Sequence, residues 1–499
     1  MDAEGLQGVL IDEDLLFHAL PDGIGGVQFQ PDAQRLLCRL QHSRLFLGLF
    51  GGENPEKSSS ANGSLPQDLG LAENVRRVWL PQSSSPTEAL MTAGWAVPYS
   101  SSVYVTGRRK EPVERELISQ GWKILRVGER AKLGGETEDS NDSMSAVGHL
   151  HEVAASLAVL NKKAWKDALV VVGYTMKWSR EFDLVKRGAL PMARNAYGLS
   201  FLPIQLDRPL VNQLVAVDVM LHKATDEILS VRPGDFGMPS IEFSVGIQEL
   251  QRYLQEHAEI CVVDPLERVL PLLDRVATQA ILKELRIPGE QVIRPPCSVE
   301  VTAFDEPLLS QALGSATKIL PAIVKPRIAC GASEAHSMAV VFSESGFKGL
   351  PVPLPAVVQE YVDHGAHQYK MYAIGSKLLY SRRKSTPNAS KLATRTDGAQ
   401  ALLFDSLKSL PVEADTEMQE ENLQKLDFEI VQKAADWLRS KLGLTIIGFD
   451  IVVQSGTNDY IIVDVNYFPT FKDVPDEEAL PAFWQALVTR HSQWTQQRY

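Results

Sequence analysis

A chain of 499 residues with 44% hydrophobic residues is long enough for about three compact units with ordinary cores. Its formal charge of −12 at pH 7 argues against broad binding to nucleic acid or anionic membranes. No apolar stretch approaches the roughly 18 residues that cross a bilayer, and the acidic start MDAEGLQGVLIDEDLL lacks the basic n-region of a secretory signal.

In chain order, residues 8–11 read as a strand that runs into Asp12-Glu13-Asp14. A helix follows around 32–41 and a strand at 45–50, and 51–70 is a loop rich in Gly, Ser and Pro. Strand–helix alternation resumes at 75–80, 86–93, 102–105 and 112–120, which predicts an α/β domain over residues 1–127. Residues 128–150 are polar and aperiodic and are expected to be a linker. A helix at 151–160, a buried strand at 168–174 and strands at 199–203 and 217–222 define a unit over 151–255. Residues 261–314 read as mostly helical, with a helix at 270–285, and belong to a central unit over 256–360. Strands are expected at 322–324, 338–342, 356–361, 369–374 and 378–381. The acidic stretch 412–421 reads as an exposed loop before a helix at 427–442, inside a last unit over 361–499. Cys38, Cys261, Cys297 and Cys330 are scattered without zinc or redox spacing, so a reducing cytosolic or nuclear compartment is expected.

The sharpest chemical signal lies near the end. Two β-branched runs, 446–453 and 460–465, flank the turn-forming stretch 454–459 and predict a hairpin. If it is symmetric about Thr457, Asp450 lies opposite Asp464, with side chains about 5 Å apart. Asn466, two residues on, projects from the same face. Two facing carboxylates on apolar strands repel unless a cation sits between them, and Mg²⁺, with its preference for oxygen and phosphate ligands, is the economical choice.

Other residues suit a phosphorylated partner. Lys325 ends a strand, where its ammonium can reach a phosphate as a point charge. Gly331 lies in a small-residue loop whose N–H groups can approach an anion, and His336 leads into the next strand. The segment 354–362 reads as a strand entering a hinge whose backbone can pair with an adenine edge. Lys370 alternates outward from an apolar strand, towards a cleft. The clusters Lys177/Arg180/Lys186/Arg187, His222-Lys223 and Arg382-Arg383-Lys384 each read alone as a solvated face; brought together, they would hold a small, highly charged anion.

The stretches VVGY, VDVMLHK, VDPLERVLPLLDR, VKPRIACGASEAHSMAVVF, VVQEYVDHGAHQYKMYAIG, RRKS and GFDIVV…VDVNYFP occur in this order between residues 170 and 475. Together they resemble the inositol-tetrakisphosphate 1-kinase family, also called inositol-trisphosphate 5/6-kinases, which is similar to ATP-grasp enzymes. The extra N-terminal domain resembles that of the longer plant members. The resemblance implies an α/β (α+β) fold of ATP-grasp type and an ATP-dependent kinase of soluble inositol polyphosphates. Asp450, Asp464 and Asn466 then bind magnesium. Arg275, Lys325, Gln359, Glu360, Tyr361, Val362, Lys370 and Ser385 match nucleotide-binding places. Lys177, Arg180, Lys223, His336, Lys370 and Asn466 match substrate-contacting places, and Lys325, Lys370, Asp450 and Asp464 carry the chemistry. Ser179 stands where the family has the first of two lysines, with Arg180 at the second. Thr470-Phe471 stands where it has Gly-Tyr after Phe-Pro. The expected partners are ATP/ADP and an inositol polyphosphate, with neither nucleic acid nor a membrane span, and the expected state is a monomer.

Asp12 and Asp14 faintly resemble the first motif of haloacid-dehalogenase-like phosphatases, in which the first Asp is a nucleophile and the second a general acid. No later lysine is recognisable for it in the sequence, so a degenerate packing domain is the favoured reading. Two other classes compete with a kinase: an ATP-grasp carboxylate–amine ligase, and a scaffold that binds nucleotide or inositol phosphate with little turnover.

Overall fold

The computed structural model describes residues 5–19, 27–51, 75–79, 85–107, 109–128, 143–233, 239–287, 292–305, 308–314, 319–331, 333–395, 398–406, 408 and 426–498. The expected loop at 412–421, and most of that at 51–70, lie outside these residues. The chain divides into two compact units, one of residues 1–221 with 253–261, the other of 222–252 with 262–499.

Among the described residues of the first unit are the strands β1 (Gly8–Asp12), β2 (Phe46–Gly51), β3 (Val75–Trp79), β4 (Ser102–Thr106), β5 (Lys123–Val127) and β6 (Met144–Val147). They form a parallel sheet in the order β3-β2-β1-β4-β5-β6. β1 and β4 are buried at every position, as strands covered on both faces must be. Helix Pro86–Thr92 is started by a capping box between Ser85 and Glu88, and packs Ala89 and Leu90 into a core with Tyr104, Leu117 and Trp122. The expected linker at 128–150 is corrected here, because residues 144–147 pair with β5 as an edge strand. A second sheet, in the order β8-β7-β9-β10, is built from β7 (Val170–Thr175), β8 (Leu199–Pro203), β9 (Val219–His222) and β10 (Cys261–Val263). Cys261 donates its N–H to the carbonyl of Asp218, so the chain returns to this sheet after the expected boundary at 255.

The second unit contains β11 (Ile293–Arg294), β12 (Ser298–Val301), β13 (Ala322–Pro326), β14 (Ser337–Val341), β15 (Ala356–Glu360), β16 (His367–Ile374), β17 (Lys377–Lys384), β18 (Ala401–Asp405), β19 (Ile446–Val453) and β20 (Tyr460–Tyr467). One sheet runs β12-β15-β13-β14-β18 and is antiparallel. The other runs β11-β20-β19-β16-β17 and is antiparallel except where β11 joins β20. Each sheet takes strands from both sides of residue 360, so the expected boundary there separates no structural unit. The region 261–314, expected to be mostly helical, holds three short strands. The expected helix at 270–285 breaks at Asp274, whose carboxylate caps the helix Arg275–Leu282 by accepting from the N–H of Val276 and Ala277. Helix Phe428–Leu442 starts on the Asp427 carboxylate and ends on Gly443 in the left-handed conformation.

Candidate active site

The hairpin of β19 and β20 pairs Asp450 with Asp464, as the symmetric reading expects. The route to that pairing is less simple. Nearer the turn the register is Val453 with Tyr460, Val452 with Ile461 and Ile451 with Ile462. Beyond it Asp450 pairs with Asp464, which leaves Val463 as an extra residue, a β-bulge. Had the first register continued, Asp464 would face Phe449 and project from the opposite side of the sheet. The bulge therefore places both carboxylates on one face. Lys325, at the end of β13, donates from Nζ to the Val463 carbonyl at 3.3 Å and so satisfies a group beside the break.

Lys370 on β16 pairs with Asp450, and its Nζ lies 3.4 Å from Asp450 Oδ2. Lys370, Asp450 and Asp464 thus form a row across three adjacent strands. Asn466 donates from Nδ2 to Asp464 Oδ2 at 2.9 Å. Burial pushes the Asp450 carboxyl up to about 6; Lys370 opposes the shift, and Asp464 adds to it. Burial also pulls the Lys325 ammonium down to about 8, against the opposing pull of Asp464. Among the described residues no group of three or more His, Cys, Asp or Glu side chains is arranged to hold a metal ion.

Arg275 does something the sequence does not reveal. Its Nη1 donates to the carbonyls of Pro326 at 2.6 Å and Ile328 at 2.7 Å, and its Nη2 to that of Ala335 at 3.4 Å. It thereby fastens both ends of the glycine loop that follows Lys325. Arg327 binds the Asp274 carboxylate through Nε and Nη2, and Glu300 through Nη1. Gly331 takes φ +87°, and a Cβ there would lie 2.6 Å from Ile228 Cγ2. His336 contacts Ser406 Oγ through Nδ1 at 2.9 Å, and burial with Arg275 nearby lowers its pKa.

In the nucleotide-matching segment, Gln359 is buried within β15. Glu360 accepts from Arg294 Nη1 and the Cys297 N–H, and Tyr361 donates its hydroxyl to the Thr386–Pro387 corner. Those two side chains hold neighbouring elements. Val362, packed with Val452, Ile461 and Val463, forms its apolar part. Ser385 contacts His364 Nε2 at 2.9 Å. Lys223 donates to the Tyr467 carbonyl and lies 5.1 Å from that ring's centroid. The Tyr467 hydroxyl accepts from the Asp264 N–H at 2.9 Å and donates to the His222 carbonyl at 3.0 Å. The buried Asp264 carboxylate accepts from Thr445 N at 2.7 Å and Thr445 Oγ1 at 2.5 Å, ahead of β19. This anchoring of the entry to β19 was not readable from VDPLER.

Lys177 and Arg180 belong to the first unit, at the N-terminal turn of helix Trp178–Lys186. Cations at that end are disfavoured by the helix dipole. After β20, the positions with positive φ are Phe468 (41°) and Phe471 (42°), not Thr470. Both rings are buried against Phe483, with centroids 6.1 and 5.9 Å away. The glycine of the related pattern is therefore not needed at 470 for this backbone path.

In the N-terminal sheet Asp12 ends β1 and is buried. It accepts from Tyr104 Oη and Thr106 Oγ1 at 2.6 Å each, and from Lys110 Nζ at 2.9 Å. The pairing of Lys110 with Asp12 was not legible in the sequence.

Two units, one carrying paired antiparallel sheets with lysines and carboxylates on facing strands, define an ATP-grasp protein with an added N-terminal α/β domain. The family model described as inositol 1,3,4-trisphosphate 5/6-kinase ATP-grasp domain matches residues 289–485, and that family's pre-ATP-grasp domain matches 171–269. The model described as ITPK4, N-terminal HAD-like domain, matches 1–163. Inositol-tetrakisphosphate 1-kinase 6 of Oryza sativa subsp. indica is 36% identical over 96% of this chain and 88% of its own length. Inositol-tetrakisphosphate 1-kinase of Danio rerio is 28% identical over 56% of this chain and 69% of its own. Among solved structures, D-alanine–D-alanine ligase from Bacillus anthracis is similar over 66% of this chain and 99% of its own, at 14% identity and a TM-score of 0.38. The chain belongs to the inositol-tetrakisphosphate 1-kinase family.

Proposed function

We propose that the protein transfers the γ-phosphoryl group of ATP to a hydroxyl of a soluble inositol tris- or tetrakisphosphate. The observation that carries this reading is the row Lys370–Asp450–Asp464, with buried Lys325 beside it. Phosphoryl transfer demands positioning and charge stabilisation more than covalent help from the protein, and such a row supplies both. Lys325 and Lys370 neutralise charge that develops on the transferred group, as preorganised cations in a site of low dielectric. The backbone of 359–362, Val362 and Ser385 orient the nucleotide, and Arg275 holds the loop behind Lys325. Lys223, His336 and Asn466 hold the phosphorylated ring.

The donor set of Asp450, Asp464 and Asn466 offers oxygens on one face, most of them from two carboxylates that repel, and so fits a hard divalent cation that keeps places for phosphate oxygens. Magnesium held there would offset phosphate charge and act as a Lewis acid. The free state of Cys38, Cys261, Cys297 and Cys330 supports a reducing compartment such as the cytosol. The test is transfer of label from [γ-³²P]ATP across a panel of inositol tris- and tetrakisphosphates, with wild type and Asp464→Ala. Label on one or more inositol phosphates, nearly abolished in the variant, supports the proposal. Near-normal turnover of the variant at saturating magnesium rejects the metal assignment, and no transfer by wild type rejects the kinase.

A further inference from the structure

The first unit contains a cavity of about 580 Å³ lined by none of the candidate site residues described above. Its walls include Gly5–Gln7 ahead of β1, Arg44–Phe46 at the start of β2, Arg76 near the start of β3, and Trp165 with Ala193–Arg194. It therefore lies at the N-terminal edge of the parallel sheet, away from Asp12 at the opposite end of β1. Ligands of such sheets ordinarily bind at the C-terminal edge, so the fold's usual site does not explain this one.

Three of the lining residues are arginines, and none of the described lining residues is acidic. In a chain with a formal charge of −12 this is a pronounced local reversal. Arg44, Arg76 and Arg194 are all exposed. Arg194 is oriented by two contacts without a carboxylate: Nε donates to the Ala168 carbonyl at 3.0 Å, and the guanidinium lies 4.6 Å from the Trp165 ring centroid. The indole is itself lodged against the backbone of Gly5, where an added Cβ would fall 1.7 Å from Trp165 Nε1. Arg44 takes φ +58°, a conformation that favours glycine.

We infer that this cavity is a second anion site, for a compact small molecule bearing several phosphoryl groups. Arginine forks bind phosphate bidentately, and the volume suits a ligand of that size. Calorimetric titration of the full chain with inositol hexakisphosphate, with ADP and magnesium saturating the nucleotide site, tests it. Wild type should show two binding events and the Arg44→Glu/Arg76→Glu/Arg194→Glu variant one. Arg44→Gly should keep its melting temperature, because glycine suits that φ, yet weaken the second event about tenfold and flatten its salt dependence. Tripolyphosphate as a second probe separates phosphoryl charge alone from a ring that displays it; binding of either probe that is lost in the charge-reversed variant supports the site. A single event in wild type, or two events unchanged in a folded Arg44→Gly protein, overturns it.

Discussion

Lys325 Nζ donates to the main-chain carbonyl of Val463, the bulged residue that brings Asp464 opposite Asp450. One ammonium thus ties the strand that leads into the glycine loop to the strand irregularity beside the carboxylate pair. Deletion of Val463 should close the register with Asp464 still opposite Asp450 and take away only the bulged carbonyl that Lys325 holds, lowering kcat about 100-fold through the misplaced ammonium. A circular-dichroism melt close to wild type separates this from unfolding. Retained turnover would remove the bulge from the account.

Asp450 should act as a source of instability in the unliganded protein. Its folded pKa of about 6 lies above the ordinary 3.8, so the folded chain holds the proton more tightly between those values. Stability therefore falls as pH rises from about 4 to 6 and stays lowered above that. Asp450→Asn should accordingly raise apo stability at pH 7 by about 1–3 kcal/mol, with the gain vanishing near pH 4. Urea melts at both pH values, without added metal, check it. Kinase activity should be lost in the same variant.

Arg275→Lys is a conservative change in charge and a drastic one in geometry. A lysine cannot hold the Pro326, Ile328 and Ala335 carbonyls together, as the guanidinium does through Nη1 and Nη2. The loop after Lys325 should loosen, raising KM for ATP about tenfold with a smaller fall in kcat, because position rather than charge is lost. Steady-state kinetics read this directly. An unchanged KM would mean that the loop holds its shape unaided.

Asp12 holds the N-terminal sheet together whatever else it does. Two hydroxyls and an ammonium converge on its buried carboxylate. Asp12→Ala should lower stability by about 2 kcal/mol, since it takes this acceptor away from the buried Tyr104 and Thr106 hydroxyls and from the partly exposed Lys110 ammonium. Tyr104→Phe, which removes one donor, should cost about 1 kcal/mol. Chemical denaturation of the full chain, following the transition of the N-terminal unit, distinguishes the two.

How far the sequence could be read depended on the range over which each feature is determined. Asp450, Asp464 and Asn466 sit in one hairpin, so turn composition and strand parity placed them together. The bulge escaped because Val463 is an ordinary apolar residue in an apolar run, and only the pairing shows that it is extra. Lys110 escaped because β4 brings it to Asp12 from 98 positions away. The strand at 144–147 carries Met-Ser-Ala-Val with two exposed positions, a pattern that becomes a strand only through the free edge of β5. The Arg275 clamp acts on main-chain carbonyls, for which no side-chain motif exists.

Gly331 separates two penalties that usually arrive together. Its φ of +87° disfavours any L side chain, and a Cβ would also lie 2.6 Å from Ile228 Cγ2. Gly331→Ala should therefore cost about 1–2 kcal/mol from the backbone alone, with a further loss from displacing Ile228. Adding Ile228→Ala opens the space but leaves φ untouched. The double variant should recover less than it would if crowding were the whole penalty, and ATP affinity should stay reduced in both, because the loop behind Lys325 has shifted. A double-mutant cycle on stability and on KM for ATP measures the two parts. Full recovery in the double variant would mean that crowding alone keeps this position glycine.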